Sequence, residues 1–131
     1  MAESIATKLK SLDTPAADTR PRHTFKVPEK SRQFPTDPKS ITFVPIRVQD
    51  EQDAMKVAEA KGSPAAFQPE LVRRSVVAVD GRAIDWGAGD DAWFDNCSAK
   101  VRELVYKAYR KVNENEAEET AAFLASLVIE A

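Results

Sequence analysis

The stretch LVRRSVVAVDGRAIDW, residues 71–86, carries the clearest structural signal in this chain of 131 residues. Its first part, residues 71–79, is rich in β-branched side chains and predicts a strand. Asp80-Gly81 follows, and Asp-Gly between two apolar runs is the strongest short-range signal of a β-hairpin. We therefore expect residues 82–86 to return as a second strand, so that an antiparallel sheet is built on this hairpin.

Downstream of the hairpin, apolar residues recur at intervals of three and four over about five turns, which predicts a helix over residues 91–112. The recurring residues are Phe94, Cys97, Val101, Leu104, Val105, Ala108 and Val112. An Asn-Glu-Asn break at 113–115 separates this helix from a second one, predicted over residues 116–127. Acidic residues fill the first turn of the second helix, which is favourable at a helix N-terminus. Two helices joined by a short loop predict a helical hairpin.

Upstream of the hairpin, residues 41–47 (ITFVPIR) are β-branched and aromatic, but Pro45 restricts them to an edge strand or a bulged one. Asp50 can cap a helix that ends at Gly62. The strand signals precede two consecutive helices and do not alternate with them, so the order predicts an α+β fold. We expect a small antiparallel β-sheet packed against the C-terminal helical hairpin.

Residues 1–40 differ in composition from the rest of the chain. They hold five of the eight prolines and carry eight Lys and Arg against five Asp and Glu. We predict a flexible, extended, proline-rich arm over 1–40 and a single α+β domain over 41–131; a plain flexible tail is the alternative. Within the arm, residues 23–27 predict a strand, and three apolar residues at helical spacing predict a short helix: Ile5, Leu9 and Leu12.

Few residues suit catalysis or metal binding. Cysteine and histidine each occur once, as Cys97 and His23, which excludes a disulfide within the chain and nearly excludes a Cys/His zinc site. A nucleophilic cysteine needs a base, and Cys97 lies on the apolar stripe of the predicted helix, where a small core residue is favoured. The aspartates near the glycine loop lack the alternating pattern of a calcium site: Asp85, Asp90, Asp91 and Asp95. We therefore predict no catalytic residues, no cofactor and no metal.

Positive charge on the long predicted helix raises the question of nucleic-acid binding. The basic side chains from Lys100 to Lys111 could contact phosphates, and Tyr106 and Tyr109 could stack on bases. The net charge of −2 and the acidic segment 114–119 argue against such a role. No window approaches about 18 apolar residues, and the N-terminal residues lack the pattern of a signal peptide. We predict a cytoplasmic protein that binds neither nucleic acid nor membranes.

Large apolar side chains crowd the end of the chain: Phe123, Leu124, Leu127, Val128 and Ile129. A domain of about 90 residues has a limited interior, and we expect it to bury most of them and to leave one or two exposed. Large exposed apolar patches are rare on monomeric proteins. The remaining side chains are therefore predicted to bind a partner.

Four stretches stand in a characteristic order: ITFVPIRV at 41–48, SVVAVDGRAI at 75–84, VRELVYKAY at 101–109 and EETAAFLAS at 118–126. This order resembles the tail assembly chaperones of long-tailed double-stranded DNA bacteriophages. The resemblance covers residues 23–129 and rests on the pattern and order of elements, without a chemical motif.

The resemblance implies a small factor in the cytoplasm of the infected bacterial host. Such chaperones coat the tape measure protein, keep it soluble while tail tube subunits polymerise around it, and are absent from the finished virion. The expected partners are the tape measure protein, possibly tail tube subunits, and further copies of the chain. The side chains predicted to bind the client are Tyr109, Phe123, Leu124 and Leu127.

Two other classes stay open at this point. A structural phage tail or baseplate component would be retained in the virion, and the proline-rich arm would suit contacts with neighbouring subunits. A host adaptor unrelated to phages is the third class. Both are binding proteins without catalytic residues.

Overall fold

The computed structural model describes residues 19–86 and 92–128. Within them, four antiparallel strands form one sheet in the order β1-β2-β3-β4. The strands are β1 (His23–Lys26), β2 (Ser40–Phe43), β3 (Val76–Val79) and β4 (Arg82–Ala83). Consecutive strands are neighbours throughout, so the sheet contains no crossover.

Five α-helices accompany this sheet in the described residues: α1 (Val48–Ala60), α2 (Phe67–Ser75), α3 (Ala92–Asn96), α4 (Ala99–Asn113) and α5 (Ala117–Ala125). Short 3₁₀ turns occupy Glu29–Ser31 and Pro64–Ala66. The predicted α+β class is confirmed. Helices also occupy both of the regions predicted to be helical at the C-terminal end, although with different bounds. The helix expected between Asp50 and Gly62 is also confirmed, as α1.

The predicted β-hairpin is present, with Asp80 and Gly81 at its tip. Their φ values are +54° and +77°, the two positive values that a type I′ turn requires. Asp80 Oδ1 also accepts hydrogen bonds from the N–H groups of Lys39, at 2.6 Å, and Ser40, at 3.0 Å. The same aspartate therefore forms the turn and holds the start of β2 beside it.

Substitution of Gly81 by alanine is expected to lower the free energy of unfolding by about 1–2 kcal/mol, because an L side chain is strained at this positive φ. No described atom lies within 4 Å of the added Cβ, so the loss reports backbone strain. Urea denaturation of both proteins measures the difference. Asp80→Asn is the control, since asparagine tolerates a positive φ and keeps an oxygen for both N–H groups. Equal stability of Gly81→Ala and the unaltered chain would contradict this account.

The returning strand is shorter than the predicted 82–86. After Ala83, the Ile84 N–H still donates to Val77 O at 3.0 Å. The chain then leaves the sheet, and Trp86 Nε1 donates to Val76 O at 3.1 Å. The indole therefore folds back over β3 and does not extend β4.

The strand predicted over 71–79 is wrong in its first half, because α2 continues to Ser75. Ion pairs that favour the helix join it to α1: Arg74 Nη1 lies 3.8 Å from Asp50 Oδ1 and 3.9 Å from Asp53 Oδ2. Val72, on the same helix, is buried, with 1% of its surface exposed. Only residues 76–79 of the predicted strand enter the sheet.

The single helix predicted over 91–112 is also wrong, because the chain breaks between α3 and α4. Ser98 is the N-cap of α4, and its hydroxyl accepts a hydrogen bond from the Val101 N–H at 3.4 Å. The Ser98 hydroxyl thereby pairs with one of the first N–H groups of α4, which have no carbonyl partner within their own helix. The predicted start of the helix, at residue 91, lies outside the described residues.

The core lies between one face of the sheet and α4. Phe43 is fully buried, and its ring meets that of Phe25 edge to face, with centroids 5.6 Å apart. From α4, residues four apart face the sheet and are buried: Val101, Val105 and Tyr109. The stripe predicted for this helix therefore packs as expected.

The proposed arm contributes to the sheet from His23 onward. β1 pairs with β2 in antiparallel register, so the predicted boundary between residues 40 and 41 falls inside β2, after its first residue. β2 is consequently an inner strand and not an edge strand, although its pairing with β3 shifts between Thr42 and Phe43, as a bulged strand would. Pro45 lies beyond the end of β2. The helix predicted around Ile5, Leu9 and Leu12 lies outside the described residues.

Candidate functional site

The strongest candidate for a binding site is a set of exposed apolar side chains on α5 and the turn after it. We call it the C-terminal apolar surface, and it consists of Phe123, Leu124, Leu127 and Val128. Their exposed fractions are 75%, 65%, 77% and 79%. Three of them were predicted to bind a partner, and the structure brings those three together on one short segment. Val128, which the sequence marked only as part of the apolar crowding, joins them.

The linker before α5 keeps the helix away from the rest of the domain. Glu114 and Glu116 both have extended backbone, with φ and ψ of −115° and 147°, and of −72° and 157°. No residue of α5 is buried. The linker does touch α4, where Lys111 Nζ lies 3.8 Å from Glu116 Oε1, but both side chains are well exposed and such pairs contribute little. The prediction that this helix packs against the sheet is therefore wrong.

Hydrogen bonds at the C-terminus of α5 hold Leu127 close to the last turn of the helix. The Ser126 hydroxyl donates to Phe123 O at 2.6 Å, and the Leu127 N–H donates to Leu124 O at 3.4 Å. These bonds tighten the last turn, as 3₁₀-type bonds do at many helix ends. Apolar side chains consequently continue past the final helical residue, Ala125.

Tyr109 does not belong to this surface, contrary to the prediction. Only 8% of its surface is exposed, because it follows Val105 by one helical turn on the core-facing stripe of α4. Burial, together with the negative charges of Glu51, Glu114 and Asp50, raises the pKa of the Tyr109 hydroxyl to about 12. Tyr109 is a core residue that stays neutral at physiological pH.

A second apolar feature is a cavity of about 280 Å³ that opens between α4 and the sheet. We call it the α4–sheet groove. Its apolar lining includes Phe25, Val27, Ile41, Phe43, Leu104 and Ala108. Three lysines complete the lining: Lys26, Lys107 and Lys111. Local sequence patterns do not indicate this groove, because its walls come from segments about 60–80 residues apart in the chain.

The surroundings of Cys97 do not activate its thiol. Burial raises the pKa of the Cys97 thiol, although the nearby Arg102 opposes the shift, so the reactive thiolate is disfavoured. The Cys97 Sγ–H donates to Phe94 O at 3.3 Å. His23 is exposed at the start of β1. Within residues 19–86 and 92–128, no three His, Cys, Asp or Glu side chains are placed to share a metal ion.

The basic side of α4 does not present the aromatic side chains that base stacking requires. Tyr106 packs against Phe94, with ring centroids 6.2 Å apart, and Tyr109 is buried. Lys107 forms an ion pair with Glu103 on its own helix at 2.9 Å. This side of the helix therefore presents exposed cations, two of which, Lys107 and Lys111, lie near carboxylates.

None of the helices in the described part of the chain combines the length and apolar character of a membrane span. No protein-family model, curated protein or solved structure matches the chain. The C-terminal apolar surface and the α4–sheet groove are consequently the features on which a function can be based.

Proposed function

We propose that this chain is a tail assembly chaperone of a long-tailed bacteriophage. It binds the tape measure protein and keeps it soluble during tail tube assembly in the cytoplasm of the infected host, and it is not retained in the mature virion. The observation that supports this proposal is the C-terminal apolar surface, whose four large side chains are all at least 65% exposed. Contiguous exposed apolar side chains typically mark sites of protein contact.

The chemistry of α5 suits an apolar helical client. A short helix with exposed Phe and Leu side chains can lie against the apolar stripe of another helix, as in helix-in-groove recognition. Each large apolar side chain that becomes fully buried contributes about 1.5–3 kcal/mol. A single contact of this size is weak, but many copies along one long client act together through avidity.

Charge at the start of α5 suits the same role. Glu118 and Glu119 lie in the first turn, at the end of the helix opposite to Leu127. Negative charge there is favourable to the helix and keeps a surface that binds apolar partners hydrated. Copies that lie side by side along a client also repel one another, which opposes aggregation. The proposed role needs no catalytic group, cofactor or metal.

Replacement of Phe123 or Leu127 by serine should weaken binding to the tape measure protein by at least tenfold, since interface anchors contribute about 2 kcal/mol or more. The measurement is the soluble fraction of the tape measure protein, encoded by the same genome, when it is co-expressed with each variant. The fold should not change, because α5 contains no buried residue. Circular dichroism and urea denaturation of the isolated variants verify this.

Matched controls are available on other parts of the surface. Phe34, 53% exposed, and Met55, 47% exposed, are large apolar residues outside α5. Phe34→Ser and Met55→Ser should leave the client as soluble as the unaltered chain does. A client that stays equally soluble with the Phe123 and Leu127 variants, or with no chaperone, would show that the proposal is wrong.

The competing role is a structural tail or baseplate component. Mass spectrometry of purified virions distinguishes the two, because a chaperone is missing from the particle and a structural subunit is present in stoichiometric amounts. Detection of the chain at a fixed copy number per virion would favour the structural role.

A further inference from the structure

We propose that the α4–sheet groove binds α5 of a second copy of this chain, so that two copies exchange their C-terminal helices in a closed dimer. Each copy has one groove and one exposed apolar helix. The pairing buries the same α5 side chains that we propose for the client, but it does not depend on the identity of the client.

The groove has the size and lining for a few apolar side chains. Its volume of about 280 Å³ lies just below the range of about 300–1,000 Å³ that is typical of small-molecule pockets. Its walls combine Phe25 and Ile41 from the sheet with Leu104 and Ala108 from α4. Side chains such as Leu124 and Phe123 match this lining, because they are apolar like the groove walls and are 65% and 75% exposed in the single chain.

Charge complementarity indicates why α5 is the occupant. The groove is lined by Lys26, Lys107 and Lys111, whereas the first turn of α5 carries Glu118 and Glu119. When the apolar C-terminal part of α5 enters the groove, its acidic first turn can lie next to the lysines that line the groove. Lys107 and Lys111 already approach carboxylates of their own chain, but those pairs are solvent-exposed and exchange partners at low cost.

The direction of the linker favours a second copy over the helix of the same chain. Residues 114–116 span about 10 Å when extended, and both Glu114 and Glu116 have extended backbone. All residues from Ala117 to Val128 are exposed in this conformation, so α5 does not occupy its own groove. In a reciprocal exchange both grooves and both helices are covered by one two-fold interface, which closes the assembly at two copies.

Such an exchange also covers the surface that we propose for the client. A free chain would hold its own apolar residues away from water by pairing with another copy. A client would then have to displace α5 from the groove before binding it. The dimer is accordingly expected to dissociate as client is added.

Cysteine crosslinking tests the occupant directly. In a Cys97→Ser background, which retains a hydrogen-bond donor for Phe94 O, one chain carries Ala108→Cys and a second, of different mass through an added tag, carries Leu124→Cys. Oxidation of the mixture should give a disulfide-linked heterodimer. Leu124→Cys mixed with Ala60→Cys, an exposed position on α1, is the control and should not crosslink.

Two results would overturn the proposal. If a chain with both Ala108→Cys and Leu124→Cys forms the disulfide within single chains, and the mixture gives no heterodimer, α5 occupies its own groove. If neither arrangement crosslinks more than the Ala60→Cys control, the groove does not bind α5 at all.

Sedimentation equilibrium provides a second measurement. The unaltered chain should be dimeric at micromolar concentration, and Leu124→Asp should raise the dissociation constant at least tenfold. Leu124→Asp lies on a helix without buried residues, so the domain remains folded. A chain that remains monomeric at high micromolar concentration would contradict the proposal.

A groove variant separates this inference from the proposed function. Ala108→Glu places a charge in the groove and should abolish the dimer, while α5 remains available to solubilise the tape measure protein. Loss of the dimer with intact client binding supports both proposals. Intact dimerisation of Ala108→Glu, with its fold verified by circular dichroism, would contradict the groove proposal whatever happens to the client.

Discussion

Replacement of Phe43 by alanine is expected to lower the free energy of unfolding by about 3–5 kcal/mol. Phe43 has no exposed surface and ends β2, the inner strand between β1 and β3. Its ring contacts Phe25 edge to face, at an interplanar angle of 86°. Removal of the ring leaves a cavity beside the α4–sheet groove and removes this aromatic contact, and both losses destabilise the folded state.

Phe123→Ala is the matched control, because it makes the same chemical change at a residue that is 75% exposed. Its effect on the free energy of unfolding should stay within about 0.5 kcal/mol. Urea denaturation of the two variants and the unaltered chain, followed by circular dichroism, gives both values. Similar losses for Phe43→Ala and Phe123→Ala would mean that the core does not lie between the sheet and α4.

The second large effect is expected at Asp37, which is 95% buried and joins two segments of the chain, its own loop and the start of α4. Its Oδ2 accepts hydrogen bonds from the N–H groups of Gln33, at 2.8 Å, and Phe34, at 3.1 Å. Its Oδ1 accepts one from the Ser98 N–H at 2.9 Å, directly before α4 begins. Asp37→Asn leaves one of these oxygens as an NH₂ group facing a donor, which should cost about 2–3 kcal/mol in the free energy of unfolding.

Asp37 also makes part of the stability depend on pH. Burial raises the pKa of this carboxyl, but the hydrogen bonds from Ser98, Phe34 and Gln33 outweigh burial and lower the pKa below its usual value of 3.8. A carboxyl whose pKa is lowered by folding stabilises the protein above the unfolded pKa, and the contribution is lost as the pH falls through the folded pKa. The stability difference between the unaltered chain and Asp37→Asn should therefore be constant from about pH 5 to 8 and shrink below about pH 4.

Urea denaturation at pH 7 and at pH 3 measures this dependence. Glu119→Gln is the control, because it removes an exposed carboxylate on α5. It should leave the free energy of unfolding unchanged at both pH values. If the stability difference between the unaltered chain and Asp37→Asn is as large at pH 3 as at pH 7, the claim that Asp37 is ionised in the folded state is wrong.

Elements with strong local signals were predictable from the sequence. The Asp80-Gly81 turn was predictable because few other residue pairs accept two consecutive positive φ values. The stripe of α4 was predictable because residues Val101 and Val105 repeat at the helical period. The α+β class followed from the order of these elements, which does not depend on their precise ends.

Other features depend on contacts between distant segments, and local patterns could not reveal them. The helical state of residues 71–75 is stabilised by ion pairs from α2 to α1, whereas the local sequence is equally compatible with a strand. The break before Ser98 is fixed by Asp37, 61 positions earlier in the chain. The apolar pattern of the helix continues through Cys97. It therefore cannot indicate that the distant Asp37 carboxylate accepts a hydrogen bond from the Ser98 N–H.

The candidate site shows the same division. Phe123, Leu124 and Leu127 were identified because apolar crowding exceeded what a small domain can bury. Tyr109 was misassigned, although its spacing of four from Val105 indicated the core stripe. The α4–sheet groove was not predictable, since it exists only where β1, β2 and α4 meet.

The separation of α5 from the domain has a thermodynamic consequence. A helix of nine residues without tertiary packing is shorter than the roughly 12–15 residues at which isolated helices become marginally stable in water. Its folding is therefore linked to its burial, and any surface that covers it also orders it. The measured affinity of α5 then equals the contact energy less the free energy of ordering the helix. Side chains that never touch a partner thereby influence affinity through their helix propensity, which lets binding be weakened or strengthened without a change in the contact surface.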